Sequence, residues 1–447
     1  LFEEGGTQRV YGIIDAKPPE NAPHKVGEGA LNTASMQMDV DPPQEWKEIF
    51  NDVWRQERDY FYEKSMNGVD WAKVREKYAV LLPYVANRFD LNYVIGEMIG
   101  ELGNSHSYVG GGDFPDLHPV NVGLLGVDFG VDTAHGLYRF KKIYPGQNWD
   151  ASVRSPLTEP GVKVKQGDYL LAVNGKSLKV PENPYKPFVN TAGQDVTLTV
   201  NDKPTTEGAW DVMVKPIRSE LSLRELNWIE TNREKVAKAT DGKVGYVYLP
   251  DMEADGLNEF VRQYFPQIRK EGIIFDVRYN GGGFVDQIIL EHLRRILVGM
   301  EAARNFKSDT IPENVFNGYM VDLSNQYTAS DGDYFTYFFK KYKLGPVIGE
   351  RTWGGVRGIR GYIPEVDGGY FTRPEFSMYG LDSHWIIENH GVLPTIRLDN
   401  RPDLVVKGQD PQLEKAIQVL MQEIKEHPKK LPPRPPDLPA YPAGPAH

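Results

Sequence analysis

The sequence predicts a multidomain protein of mixed α+β and α/β class. It comprises a small helical core domain, an inserted β-rich domain and an α/β core domain with a largely parallel sheet. Apolar residues follow a helical period over 45–114, and short alternating runs broken by Gly and Pro fill 115–218. Strands then alternate with helices over 219–426, as parallel sheets require. At 447 residues, the chain has room for roughly three domains.

The charge and the amino-acid composition exclude several classes of partner and site. The net charge of -11 argues against nucleic acid or an anionic membrane as the main partner, because either needs a concentrated basic surface. The chain has no cysteine, which excludes disulfides, a thiolate nucleophile and cysteine-ligated metal sites. No run approaches the roughly 18 apolar residues of a membrane span.

The two ends are predicted to lie outside the core. Residues 1–44 combine a short β-like piece at 8–14 with a Pro-rich stretch, which is typical of a linker or the remnant of an upstream domain. The prolines of 427–447 predict an extended tail. We expect a cytoplasmic protein, but a periplasmic or secreted one stays open because the chain starts without Met.

The helical domain ends in a loop that is a candidate for carrying a catalytic base. Its apolar face includes Trp46, Ile49 and Phe50. The loop of small residues at 103–107 can present the His106 imidazole without steric cover. The alternative is that His106 is an ordinary surface or core histidine.

The β-rich domain at 115–218 has two pieces in a familiar order. Gly-Leu-Leu-Gly-Val at 123–127 is followed by Gly-Asp-Tyr-Leu-Leu-Ala-Val-Asn-Gly at 167–175. The pair resembles a PDZ domain, whose first loop binds a peptide C-terminus and whose open sheet edge accepts a peptide strand. The alternative is a generic small β-barrel.

A glycine-rich loop follows the second strand predicted in the α/β domain, after a first strand at 243–249. The strand is predicted at 272–277 and a helix at 285–298, with three consecutive glycines at 281–283 between them. Glycines allow main-chain N–H groups to approach a ligand atom closely, which suits an oxyanion hole. A phosphate loop is the rival, but no Gly-Lys-Ser/Thr follows.

Ser330 is the candidate nucleophile. It precedes an aromatic stretch that ends at Lys340 and Lys341, which indicates a helix with Ser330 at its N-terminus. The helix dipole there favours a developing negative charge. The competing interpretation is a helix N-cap, with Asp333 as its capping-box partner.

Glu388 is a candidate for orienting a histidine, because a carboxylate after an apolar run tends to be buried and to need partners. Its alternative is a structural salt bridge. A metal site built on His384, Glu388 and His390 is a further alternative, but no His-Glu-x-x-His is present and the spacing is not a known ligand pattern.

Together these segments resemble the catalytic half of the tricorn protease family. The resemblance runs from about Glu45 to Glu426, and its most specific parts are 105–106, 278–283, 328–333, 351–355 and 387–392. It implies a helical core domain, an inserted PDZ domain and an α/β serine peptidase domain, in that order. Full-length members carry two β-propellers upstream, and nothing here corresponds to them beyond the first 40 residues.

The resemblance also implies residue roles. Ser330 would be the nucleophile and His106 the base, with Ser105 and Glu388 completing a tetrad. The Asp331 N–H and a glycine N–H, from Gly282 or Gly283, would form the oxyanion hole. The family further implies no cofactor, oligopeptide substrates and a homo-oligomer such as a hexamer.

Tricorn-like enzymes accept basic residues before the scissile bond by means of an acidic group between the glycine-rich loop and the nucleophile. By position alone, Glu301 is the candidate for that group. Its alternative is a solvated glutamate at the end of the helix predicted at 285–298.

Two rival functions stay open. One is a carboxy-terminal processing peptidase with a Ser-Lys dyad, but Lys340 would start roughly 15 Å along the helix axis from Ser330. The other is an inactive PDZ scaffold that only binds peptides. Such a scaffold predicts losses among the tetrad positions, and the sequence has none.

Overall fold

The structure is a computed structural model that describes residues 2–4, 10–13, 29–33, 35–115 and 117–437. Two short antiparallel strands come first, followed by three helices and a two-residue strand. These are β1 (Phe2–Glu4), β2 (Val10–Gly12), α1 (Pro42–Tyr60), α2 (Trp71–Ala79), α3 (Arg88–Gly100) and β3 (Val109–Gly110). The strand predicted at 8–14 lies partly outside the described residues.

The first helix begins earlier than the apolar period indicates. Helix α1 starts at Pro42, although the sequence predicts a linker or the remnant of an upstream domain over 1–44. Proline is favoured in the first turn of a helix, where the missing N–H would have no partner. The three helices bury one core, to which Ile49, Phe50 and Leu91 contribute fully buried side chains.

The second domain is an antiparallel sheet in the order β4-β5-β6-β8-β9, with β7 paired to β6. Its strands are β4 (Val127–Asp132), β5 (Leu137–Ile143), β6 (Tyr169–Val173), β7 (Lys176–Ser177), β8 (Val196–Asn201) and β9 (Trp210–Val214). Within the described residues β4 is an edge strand. The core of this domain is separate from that of the helices.

The third domain holds a five-stranded parallel sheet in the order β10-β11-β14-β15-β17. Its elements are α4 (Leu221–Ala239), β10 (Val244–Tyr248), α5 (Ala254–Tyr264), β11 (Gly272–Asp276), α6 (Asp286–Leu293), β12 (Gly299–Glu301), β13 (Asp309–Ile311), β14 (Tyr319–Ser324), α7 (Asp331–Lys341), β15 (Val347–Gly349), β16 (Tyr370–Phe371), β17 (Ile396–Arg397), α8 (Pro402–Val405) and α9 (Pro411–Glu426). The predicted fold class is confirmed.

Both faces of the parallel sheet are covered by helices. Helices α5, α6 and α7 pack on one face through residues such as Phe260, Leu290 and Phe335. Helices α4 and α9 pack on the other through Val236 and Leu420. Every residue of β10 and β11 is therefore buried, which explains why these strands are almost entirely apolar, with Asp276 at the end of β11 as the exception.

A long return of the chain ties the third domain to the first. Strand β16 pairs with β3 in antiparallel fashion, and Phe371 joins the core of the three helices. This contact brings the segment after β15 next to the loop that follows α3. The first domain is therefore completed by residues more than 200 positions later in the chain.

One predicted helix is wrong at its C-terminal end. Helix α6 ends at Leu293, whereas the apolar pattern predicted 285–298. Ile296 and Val298 are each 75% exposed, so the pattern continues past the last buried turn without packing against the core. The next residues form an antiparallel hairpin of β12 and β13.

Residues 427–437 of the Pro-rich tail form neither helix nor strand, and the rest of the tail lies outside the described residues. None of the described helices combines the length and the apolar character needed to span a bilayer.

Candidate active site

Ser330 lies in a sharp turn between β14 and α7. Its φ of +56° and ψ of −117° are values that residues with a Cβ rarely adopt. Although it occupies the N-cap position, its side chain makes no capping hydrogen bond to α7. The hydroxyl at the helix start is therefore not used as a cap.

The glycine-rich loop meets the Ser330 turn because β11 and β14 are neighbours in the parallel sheet. The Ala329 N–H donates to the Asn280 carbonyl at 2.8 Å. The Asn280 side chain accepts from the Gly282 N–H and donates to the Leu249 carbonyl, each at 2.9 Å. This fully buried amide fixes the loop against the turn. No sequence pattern assigns this role to Asn280.

Two residues that line the same cleft as Ser330 offer main-chain donors. Among the described residues the N–H groups of Gly283 and Asp331 make no hydrogen bond, whereas the Gly282 N–H is used by Asn280. A Cβ at position 282 would lie 2.4 Å from Ser330 Cβ and 2.8 Å from Asp331 N. Only glycine leaves that space open, so the amides of Gly283 and Asp331 are the pair available to an oxyanion.

Ser105 and His106 lie in the loop after α3, within reach of Glu388. Ser105 Oγ is 3.0 Å from His106 Nδ1 and 3.1 Å from Glu388 Oε2. A hydroxyl has one proton, so when Ser105 donates to Glu388 it accepts from His106 Nδ1–H. That tautomer leaves Nε2 unprotonated, as a general base requires.

Glu388 is held by main-chain donors. Its Oε1 accepts from the Ser105 N–H at 2.7 Å, and its Oε2 accepts from the N–H groups of Val356 and Arg357 at 2.7 and 3.1 Å. The residue is 6% exposed. These donors compensate the burial of a carboxylate and fix its orientation toward Ser105.

Unusual backbone conformations cluster at this site. His106 has φ +58°, and Glu388 is flanked by Ile387 with φ +70° and Asn389 with φ +61°. A β-branched residue such as Ile387 adopts positive φ only when the surrounding structure imposes it. Ser330 and His106 thus have positive φ themselves, and Ser105 and Glu388 are each next to such a residue, so all four predicted tetrad positions lie in or next to strained backbone.

Thr372 supports the base loop and was missed by sequence reasoning. Its Oγ1 donates to the His106 carbonyl at 2.6 Å and accepts from the Tyr108 N–H at 2.9 Å. The Trp353 ring also lies at the side of the imidazole, with ring centroids 5.7 Å apart. Thr372 is 266 residues from His106, so no local sequence signal could have identified it.

Ser330 and His106 line one cleft of about 680 Å³. No hydrogen bond joins the two side chains in the part of the chain that the structure describes. Such contacts often tighten only when substrate binds. Burial holds the pKa of His106 below its ordinary value, and the negative charge of Glu388 opposes that shift.

The same cleft is rich in carboxyl groups. Asp331 Oδ2 accepts from the Asp286 N–H at 3.1 Å, and both side chains are buried. Burial, and then repulsion from Asp286, raise the pKa of Asp331, and burial raises that of Asp286. Asp251 and Glu253 line the cleft as well. None of these side chains was identified from the sequence.

Glu301 lies elsewhere. It is the exposed last residue of β12, next to the loop of the hairpin, and is not among the residues that line the cleft. Across the described ranges, no three His, Asp or Glu side chains are arranged to hold a metal ion. Glu388, from the alternative metal set, is instead engaged with the Ser105 loop.

Three family models match consecutive parts of the chain. They are the tricorn protease C1 domain over 42–100, the tricorn protease PDZ domain over 123–219, and peptidase family S41 over 243–398.

Individual relatives match nearly the whole chain. A tricorn protease homolog of Saccharolobus solfataricus is 35% identical over 92% of this chain and 38% of its own length. Tricorn protease of Thermoplasma acidophilum is 34% identical over 88% of this chain and 36% of its own. A crystal structure of the tricorn protease superposes with a TM-score of 0.82 and 32% identity, covering 89% of this chain and 38% of that one. The chain spans about half or less of the curated relatives it matches.

Proposed function

Because this chain belongs to the tricorn-like members of peptidase family S41, we propose that it hydrolyses oligopeptides through an acyl-enzyme on Ser330. One observation carries the proposal. A strained serine with a free main-chain donor beside it shares a cleft with a histidine whose Nδ1 is hydrogen-bonded to a hydroxyl.

In the proposed reaction, His106 Nε2 takes the proton of Ser330 as the oxygen attacks the peptide carbonyl. The imidazolium that forms is oriented by Ser105 and stabilised by the charge of Glu388. His106 then protonates the leaving amine. In the second half of the cycle it activates water, which releases the acyl group from Ser330.

The N–H groups of Asp331 and Gly283 are proposed to stabilise the tetrahedral oxyanion. Asp331 is the first residue of α7, so the helix dipole adds to the effect of its amide. Gly282 contributes by having no side chain in front of that amide. No metal or organic cofactor takes part in these steps.

Glu301 is proposed to recognise basic residues before the scissile bond, but in the cleft of a second copy of the chain. It lies outside its own cleft, on a hairpin whose surroundings are unusually apolar at the surface. Ile296 and Val298 are 75% exposed and Phe306 is 80% exposed. Exposed apolar patches of this kind favour a protein interface. This supports the proposal of a homo-oligomer, for which a hexamer remains the expectation.

Labelling with a fluorophosphonate probe tests the proposed activity. We expect one covalent adduct per chain, which peptide mapping should locate on Ser330, together with hydrolysis of fluorogenic oligopeptides. A probe that labels no residue, in a sample that still binds peptides, would favour the inactive scaffold instead. Labelling at a different serine would refute the assignment of the nucleophile.

A further inference from the structure

The first loop of the PDZ domain is already occupied by a carboxylate of the same chain. Oε1 of Glu220 accepts from the Gly126 N–H at 2.8 Å and from the Val127 N–H at 3.2 Å. Glu220 immediately precedes α4, the first helix of the peptidase domain, and is 7% exposed. The two amides belong to the loop that the sequence identified with peptide C-terminus binding.

This is how a PDZ domain holds its ligand. Successive loop N–H groups bind the terminal carboxylate of a peptide, a neighbouring pocket takes the last side chain, and the peptide extends along a free strand edge. Here Leu223 supplies the apolar side chain. It is 2% exposed and packs closely against Gly126 and Gly146. A Cβ added to either glycine would lie only 3.0 Å (Gly126) or 2.9 Å (Gly146) from a Leu223 methyl group.

Arg224 closes the start of the free edge as well. Its guanidinium bonds Glu220 Oε2 at 2.6 Å, Asp128 Oδ1 at 2.8 Å and the Val127 carbonyl at 3.2 Å. Val127 and Asp128 are the first two residues of β4, the edge strand of the PDZ sheet. A peptide could not occupy this end of β4 while α4 keeps its position.

An ordinary helix cap does not account for Glu220. The residue takes the N-cap position of α4, yet its side chain makes no capping bond to that helix. Both main-chain donors lie 93 and 94 residues earlier in the chain, in another domain. We propose that Glu220 and Leu223 occupy, in cis, the site at which a PDZ domain binds the α-carboxylate and apolar last residue of a peptide, and so keep that site closed in this protein.

The test compares two forms of the full chain, both with Ser330→Ala so that the probe stays intact. One has no further change, and the other also carries Glu220→Ala and Leu223→Ala. The probe is a fluorescein-labelled peptide ending in Leu, with either a free carboxylate or a C-terminal amide, and binding is followed by fluorescence anisotropy. We expect the closed form to bind neither peptide. The opened form should prefer the carboxylate by about 10- to 100-fold.

Glu230→Ala is the matched control, because Glu230 lies on the same helix and pairs with Arg233 instead of the PDZ loop. It should leave the site closed. Hydrogen exchange should show the Gly126 and Val127 amides protected in the closed form and exposed in the opened one. Glu220→Gln keeps a side-chain oxygen that can accept from the loop amides and keeps the side-chain volume, so it should bind the peptide more tightly than the closed form and less tightly than the opened form. Because this change is conservative, it also provides a test that does not depend on the double variant being folded.

Equal binding by the closed and opened forms would overturn the proposal, since the site would not be blocked. Absence of carboxylate-dependent binding in both the opened form and Glu220→Gln would overturn it too. Gly126 and Val127 amides that stay protected in the opened form would show that another group fills the loop, which would also overturn the proposal.

Discussion

The nucleophile half and the base half of the candidate site are built in different ways. The Ser330 turn and the glycine-rich loop follow adjacent parallel strands, and each is a short strand-loop-helix segment. The His106 loop follows a helix of a different domain. It owes its position to Glu388 and Thr372, which are 283 and 266 residues away from their partners.

This difference predicts two kinds of mutational effect. Changes in the nucleophile half should remove the nucleophile or block the oxyanion site. We expect them to leave the fold intact, because a buried sheet sets the geometry of this half. Changes in the base half should mainly alter the orientation and pKa of one imidazole. The first three experiments below test that contrast in order of expected effect.

Ser330→Ala should give the largest loss, about 10,000-fold or more in kcat/KM for a fluorogenic peptide. Its melting temperature should change little, because the Ser330 side chain makes no capping bond. Ser377 lines the same cleft, and Ser377→Ala should keep most of the activity. Substantial turnover by purified Ser330→Ala would exclude it as the nucleophile, and a large drop in melting temperature would revive the capping interpretation.

Gly282→Ala should lower kcat by about 100- to 1,000-fold, because the added methyl group cannot fit against the Ser330 turn without displacing it. The added methyl group would lie 2.8 Å from Asp331 N, in the space that the oxyanion needs. Gly281→Ala is the matched control, since a Cβ there meets nothing within 4 Å. If both variants lose activity equally, the loop has a general role in folding and the contrast between the two glycines fails.

Glu388→Gln should cost less, about 10- to 100-fold in kcat/KM, because His106 itself is kept. The sign of the pH effect is the sharper readout. The charge of Glu388 raises the pKa of His106 against the effect of burial, so its removal should lower that pKa further. Neutral imidazole is the active base, and the acid limb of kcat/KM should therefore move to lower pH.

Glu350→Gln is the control for that experiment, because Glu350 pairs with Arg397 outside the cleft. It should leave the pH profile unchanged. An acid limb that stays in place or moves to higher pH in Glu388→Gln would mean that the charge of Glu388 does not act on His106.

The same contrast explains what could be predicted from the sequence. The fold class was confirmed because strand-helix alternation and Gly-Gly-Gly after a buried strand are local patterns. The sequence could not reveal Thr372 or the contact of Glu220 with the PDZ loop, since both depend on how domains pack. The predicted C-terminal end of α6 was wrong because Ile296 and Val298 continue the apolar pattern but are exposed and do not pack against the core.

The last effect concerns Glu301, which belongs to neither half within one chain, and it should be confined to substrates with a basic residue before the scissile bond. A charge-assisted hydrogen bond to an Arg or Lys substrate is worth roughly 1.5 to 3 kcal/mol, or about 10- to 150-fold in kcat/KM over a neutral analogue. Glu301→Gln should lose that preference. Glu313→Gln, an exposed carboxylate just after the same hairpin, should keep it.

A mixture of Ser330→Ala chains and Glu301→Gln chains then tests whether Glu301 of one copy binds substrate in the cleft of another. Ser330→Ala chains have Glu301 but no nucleophile, and Glu301→Gln chains have the nucleophile but no acidic group. If Glu301 serves the cleft of a neighbouring copy, mixed oligomers contain some clefts with both groups, and part of the preference for Arg over Leu substrates should return. If Glu301 served its own cleft, no mixed cleft would combine them and the preference would stay lost. A wild type without any preference for basic residues would instead leave Glu301 as a surface residue, and the apolar hairpin beside it would need another partner.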